Sequence, residues 1–121
     1  MTDFEGFLAR QFAFSRATFG PGERHKGVIE HIRKELVEVE QSHGESSEWV
    51  DVCLLALDGL MRRLNSTQNA GGHITGVPSL QVAGVAVRML EGKLGRNELR
   101  SWPDWRQGSE DNAIEHDRSG E

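Results

Sequence analysis

The sequence predicts an all-α fold, on three observations. Long segments carry apolar residues at helical spacing, period-two strand signals are poor, and breaks rich in glycine, proline or serine divide the chain at helix-length intervals. Four helices follow, with a central antiparallel helical hairpin.

The first helix runs from about Phe4 to about Phe19, where Gly20, Pro21 and Gly22 break it. The second runs from about Glu23 to about Ser42, with Val28, Ile29, Ile32, Leu36 and Val39 as its apolar face. Gly44 suits the end of that helix, and Ser46 or Ser47 suits the cap of the next. The third helix runs from about Ser47 to Asn65 and is apolar around most of its circumference, the pattern of a central, buried helix. Cys53 within it reads as a reduced core thiol. Its narrow polar stripe holds Glu48, Asp51, Asp58 and Arg62; Asp58 either supports the neighbouring acids or pairs with Arg62 across one turn. NSTQNAGGHITGVP reads as a flexible loop, a lid or an oligomer contact. The fourth helix begins near Pro78, a residue suited to a helix start, with Leu80, Ala83, Val87, Leu90 and Leu94 as its apolar face. Residues 107–121 are polar, acidic and without periodicity, so disorder is expected there and residues 1–106 form the domain.

A chain of 121 residues fits one domain with a modest core. Its net charge of −5 argues against direct binding to a nucleic-acid backbone, yet leaves a nucleotide substrate open, because metal ions bridge acids to phosphates. A single cysteine excludes an intrachain disulfide. No apolar run approaches the roughly 20 residues of a membrane span, and MTDFEGFLARQ lacks the apolar core of a signal peptide. A cytoplasmic protein without membrane contact is expected.

Chemistry is concentrated in two acid pairs, Glu35 with Glu38 and Glu48 with Asp51, each at i, i+3 and so on one side of a helix. In an antiparallel hairpin, residues whose numbers share a sum lie face to face. Glu35 meets Asp51 and Glu38 meets Glu48, in a layer roughly 4.5 Å deep at about 1.5 Å per residue. Glu35 also lies within about 40° of Val28 and Val39 on the helical wheel, at the edge of the apolar face. Carboxylates that close repel one another unless protonated or bound to cations, and an oxygen-only set suits Mg²⁺ or Mn²⁺. Taken alone, each pair is also what a solvated helix surface looks like; the mirrored arrangement favours metal-dependent phosphate chemistry. Lys93, Asn97 and Arg100, at i, i+4 and i+7, share one face and form either a polyphosphate clamp or a solvated stripe. Lys34 either reaches a phosphate or pairs with Glu38. Phe12, Phe14, Phe19 and Trp49 either stack on a base or belong to the core, and Asn65, Gln68 and Asn69 either read a base edge if the glycine-rich loop closes or, the stronger reading, only build the loop. The five histidines show no transition-metal spacing. A di-iron bundle ranks low, since only Glu40 to His43 gives an E-x-x-H match.

E-x-x-E followed by E-x-x-D across two helices resembles the MazG-like all-α nucleoside triphosphate pyrophosphohydrolases. FSRATFGPGERHKGVIEHIRKELVEVE, EWVDVCLLALDGLMR and K-x-x-x-N-x-x-R-x-WPD, in order over roughly residues 12 to 105, resemble more closely the dATP/dGTP diphosphohydrolase (phage MazZ-like) branch. The gap between Glu38 and Glu48 is shorter than usual in MazG proper and suits a tight hairpin. The resemblance implies a four-helix MazG-like bundle completed by oligomerisation as a homodimer or homotetramer. It implies hydrolysis of purine deoxynucleoside triphosphates to the monophosphate and pyrophosphate with two or three Mg²⁺ or Mn²⁺ ions, controlling a phage or cellular nucleotide pool. Glu35, Glu38, Glu48 and Asp51 would hold metal, and Lys93, Asn97 and Arg100 would contact phosphates. Glu38, the outer member of its pair, is the candidate to orient or deprotonate the attacking water. The alternative is a non-catalytic helical nucleotide-sensing or interaction module.

Overall fold

The computed structural model describes residues 3–68 and 79–118. The regular structure of these residues is helical, with no strand among them: α1 (Phe4–Phe19), α2 (His25–Gln41), α3 (Ser46–Gln68) and α4 (Ser79–Leu99), followed by a 3₁₀ turn at Trp105–Gln107. The all-α class and the four helices are as expected. Residues 69–78, which hold most of the glycine-rich loop with Asn69 and Pro78, lie outside the described residues. No described helix is long and apolar enough to cross a membrane.

Local chemistry sets the helix ends. Asp3 caps α1 by accepting from the Gly6 N–H at 2.6 Å, and Gly20 closes the helix at φ 91 with its N–H donating to the Arg16 carbonyl. α2 starts two residues later than the sequence suggests. Arg24 takes the left-handed conformation, φ 45, and its carbonyl accepts the first helical bond, from the Val28 N–H at 2.9 Å. At the other end the chain turns sharply. Gly44, φ 82, donates to the Val39 carbonyl at 2.8 Å, the bond pattern of a glycine-terminated helix. The cap of α3 is Glu45 rather than Ser46 or Ser47. Its carboxylate accepts from the Ser47 hydroxyl and from the Ser47 N–H at 3.0 Å, and these bonds hold its pKa below the usual glutamate value.

The chain forms two compact units, Met1–Arg88 and Met89–Glu121. In the first, α3 packs against both α1 and α2, so the helix read as central is central. Leu8 and Phe12 of α1, Met61 and Leu64 of α3, and Val82, Ala83 and Ala86 of α4 form the core cluster. Val28 and Val39 are the buried residues of α2. The α2–α3 approach is close: a Cβ on Gly59 would stand 3.4 Å from Val28 Cγ1.

Three expectations about faces are corrected. Ile29 and Leu36 sit at the rim of the α2 face and are partly exposed, while Val28 and Val39 carry its burial. α4 buries Val82, Ala83 and Ala86, a stripe offset from the expected one, and leaves Leu80, Leu90 and Leu94 exposed. Cys53 is exposed, because α3 is covered on only part of its surface.

A polar pin joins the elements of the first unit. Arg62 is 1% exposed. Its Nε meets both Asp58 carboxylate oxygens at 3.1 Å, Nη1 donates to the carbonyls of Gly20 and Gly22 at 2.9 Å, and Nη2 donates to the Ser15 hydroxyl at 2.8 Å and the Ser15 carbonyl at 3.2 Å. One guanidinium thus fastens the end of α1 and the Gly-Pro-Gly turn to α3. Of the two roles open to Asp58, the pairing with Arg62 is the one formed. In the second unit, Trp102 donates its indole N–H to the Asn97 carbonyl at 2.6 Å and meets the His116 ring at 5.4 Å between centroids, while the Asp117 N–H donates to the Ser101 carbonyl at 2.8 Å.

Candidate active site

The hairpin of α2 and α3 gathers the acids. One carboxylate oxygen from each of Glu35, Glu38 and Glu48 lies within 4.8 Å of the others. The tight turn at His43 and Gly44 sets this register, because it fixes which residues of the two helices come opposite. Asp51, one turn along α3 from Glu48, is near enough for its charge to act on both Glu35 and Glu48. Of the four acids singled out in the sequence, Glu35, Glu38 and Glu48 cluster, and the charge of Asp51 reaches Glu35 and Glu48.

Close approach and loss of solvent show in the acidities of Glu35 and Glu48. The facing Glu38 carboxyl, then loss of solvent, then the charges of Glu38 and Asp51, push Glu35 above the usual glutamate value, with His31 opposing. Glu48 is raised first by its partial burial and then by Glu38. Glu35 Oε2 is shut off from solvent and has no hydrogen-bond partner, whereas Oε1 meets His31 Nε2 at 3.3 Å. Carboxylates facing one another with no donor between them call for either a shared proton or a cation.

The donor set fits a hard divalent ion. All the donors are carboxylate oxygens, and their span is comparable to the roughly 4 Å between opposite ligands of an ion bound at about 2.1 Å. The buried, partnerless Oε2 of Glu35 adds a lone pair in need of a positive neighbour.

A pocket of about 270 Å³ adjoins the acids. Glu35, Asp51 and Asp58 contribute to its lining, together with Gln11, Phe14 and Phe19. Of the aromatic residues read as base-stacking or core, Phe12 is core at 2% exposure, whereas Phe14, Phe19 and Trp49 are exposed. Phe14 and Phe19 meet edge to face at 6.3 Å, and Phe19 meets His31 at 6.4 Å.

Among the cationic candidates, Lys34 and Arg100 have local partners. Lys34 reaches Glu30 at 3.3 Å, one turn back, rather than Glu38, and both ends of that pair are exposed. Lys93, Asn97 and Arg100 belong to the second unit, where Arg100 Nη1 donates to Asn97 Oδ1 at 2.9 Å. Asn65 lies on α3.

Sequence reasoning missed Gln11 and His31. The signal for Gln11 was a polar residue beside the buried stripe of Leu8, Phe12 and Ser15 on α1. Its partner, the Leu54 carbonyl, lies far along the chain and leaves no trace in local spacing.

The described residues form an all-α protein whose α2–α3 hairpin brings carboxylates together beside a partly aromatic pocket. Residues 8–74 match the model of the dATP/dGTP pyrophosphohydrolase family, more than half of the chain. The chain belongs to that family and is a hydrolase acting on nucleoside triphosphates. Neither the curated proteins nor the solved structures contain a match.

Proposed function

We propose that the protein hydrolyses dATP and dGTP to the monophosphate and pyrophosphate in a reaction that depends on Mg²⁺ or Mn²⁺, with the α2–α3 acids as the metal site. The observation that carries this reading is the convergence of Glu35, Glu38 and Glu48 within 4.8 Å, beside a pocket, in a member of this family. Glu35, Glu48 and Asp51 hold metal. Glu38 is the most exposed of the three clustered glutamates and takes part in that binding from the solvent side.

Bound divalent ions would supply positive charge against the triphosphate and would make a nearby water more acidic. Glu38 orients the attacking water and takes its proton. The water oxygen bonds to the α-phosphorus, the bond from that phosphorus to the bridging oxygen breaks, and the electron pair leaves with pyrophosphate. Glu35 and Glu48, whose acidities are already weakened by their neighbours, gain most from a cation that relieves their repulsion. Lys34, Lys93, Asn97 and Arg100 are the candidates for phosphate contact, an assignment that rests on the sequence pattern. The physiological role proposed is control of a phage or cellular purine deoxynucleotide pool. Assembly as a homodimer or homotetramer is part of the same proposal, supported by the exposed apolar side chains Ile29, Leu36, Val37, Trp49 and Val50.

The test is to incubate the protein with each common NTP and dNTP, with Mg²⁺, Mn²⁺ or EDTA, and resolve the products by anion exchange. Monophosphate with pyrophosphate from dATP and dGTP, lost with EDTA, is the expected result. Orthophosphate with a diphosphate would mean attack at the γ-phosphorus. Absence of turnover from folded protein would favour a nucleotide-sensing module. Glu38→Gln should lower kcat by at least about 100-fold, the scale of a general base, while the circular dichroism spectrum stays helical.

A further inference from the structure

We infer that the pocket beside the carboxylates is the purine-base subsite, with Gln11 as the residue that reads the base edge and Phe14 and Phe19 as its stacking wall. This rests on the proposed function above and adds to it the part of the substrate that the acids do not touch.

The amide of Gln11 carries the argument. Its Nε2 donates to the Leu54 carbonyl at 2.5 Å. A carbonyl can face only the NH₂ end of an amide, so this bond settles which end is oxygen. Oε1 is left shut off from solvent with no hydrogen-bond partner, although Gln11 lines the pocket. A buried acceptor without a donor is a standing cost that an incoming N–H removes after a small turn of the amide. The bond to Leu54 occupies the NH₂ end of Gln11, so the end left to meet a ligand is the acceptor Oε1.

The bases named by the family both supply that donor. Adenine carries its N6 amine on the edge, and guanine its N1–H and N2 amine, so one carbonyl accepts from either. Ring size is read by the walls. Phe14 and Phe19 line the pocket, are exposed like most aromatic rings among the described residues, and stand perpendicular at 6.3 Å. An aromatic face and edge turned to a pocket favour a flat bicyclic ring, and Leu54 and Leu55 complete the apolar lining. The volume, about 270 Å³, is near the lower end of the roughly 300–1,000 Å³ of small-ligand sites, suited to part of a nucleotide rather than the whole. Glu35 and Asp51 line the same cavity, so a base held there keeps its triphosphate within reach of the acids.

The experiment compares dATP with 2′-deoxynebularine triphosphate, a purine nucleotide whose base edge carries no N–H. Wild type should prefer dATP by about three- to tenfold in kcat/KM, the net worth of one neutral hydrogen bond. Gln11→Leu, similar in size but without the carbonyl, should shrink that preference towards unity, acting mainly through KM. Phe14→Leu alters an exposed ring and should raise KM for both purines while keeping the preference. Equal losses on both substrates in Gln11→Leu would mean that Gln11 only packs α1 against α3, and an unchanged preference would remove it from recognition. A wild type with no turnover would sink the proposed hydrolysis instead. The same two nucleotides titrated by calorimetry in Mg²⁺ would then decide the base subsite, through the same change in preference. If Gln11→Leu fails to fold, loss of affinity for both purines in Phe14→Leu supports the pocket, and unaltered affinity overturns it.

Discussion

At Glu35, function and stability pull against each other. The facing Glu38 carboxyl, partial loss of solvent and the Asp51 charge all raise its pKa. A glutamate that is harder to ionise in the folded chain than in the unfolded one favours the folded state at low pH. That benefit is present below the ordinary glutamate value of 4.5 and is lost as pH rises through the raised value. Without divalent cations, Glu35→Gln should therefore melt at a higher temperature than wild type at pH 7. The gap should narrow as pH falls toward the ordinary carboxylate range, because wild-type Glu35 then takes up its proton. Millimolar Mn²⁺ should raise the wild-type melting temperature more than that of the variant. Melting curves at several pH values, with and without metal, check this; a variant less stable than wild type at pH 7 in EDTA would contradict the repulsion. The meeting of Glu35, Glu38 and Glu48 was legible in the sequence because a hairpin turns equal number sums into neighbours, and Asp51 acts on that cluster through its charge. Gln11 and His31 were not, since what matters in each is a side-chain direction: toward Leu54 for Gln11, and toward Glu35 for His31.

Among the elements, α1 and the turn after it depend on a single side chain of α3. Arg62 satisfies carbonyls of Ser15, Gly20 and Gly22 while neutralising Asp58, and almost none of it meets solvent. Arg62→Met would leave a buried carboxylate and three acceptors to find new partners. A loss of about 3–5 kcal/mol is expected, the range for breaking a buried ion pair by removing one member. Asp58→Asn should cost less, because Arg62 keeps its bonds to the α1 end and the turn. Urea denaturation of the two variants beside wild type gives the comparison, and equal losses would assign the pin to the ion pair alone. Because Phe14, Ser15 and Phe19 lie on the segment so fastened, Arg62→Met should also raise KM for nucleotide. The D-x-x-x-R spacing on a nearly all-apolar helix suggested the Asp58–Arg62 pair. Nothing in the spacing shows that the guanidinium reaches back to Gly20 and Gly22, since those contacts belong to tertiary packing. Boundaries fared similarly: α1 was read to the residue, because Gly-Pro-Gly ends it. The α2 start was read two residues early, because a left-handed Arg24 has no composition signal.

For the whole molecule, the question is what covers its apolar surface. A chain of 121 residues buries only part of the surface that its unfolded form exposes. Ile29, Leu36 and Val37 on α2 and Trp49 and Val50 on α3 remain exposed. These two helices also carry the clustered acids. Exposed apolar side chains are expensive in water, and those on the two helices of the acidic cluster suit an interface between copies of the chain. Sedimentation velocity at micromolar concentration should give two or four times the 13.5 kDa chain mass. Val37→Lys puts a charge where Val37 is 50% exposed and should shift the distribution toward monomer without loss of helicity. Turnover of that variant then locates the site. If it falls with dissociation and recovers as protein concentration is raised, a neighbouring copy completes the site. If monomeric protein turns over dATP at the wild-type rate, one hairpin holds every group the reaction needs. A wild type that sediments as a monomer throughout would leave the exposed apolar residues to another partner and remove the assembly from the proposed function.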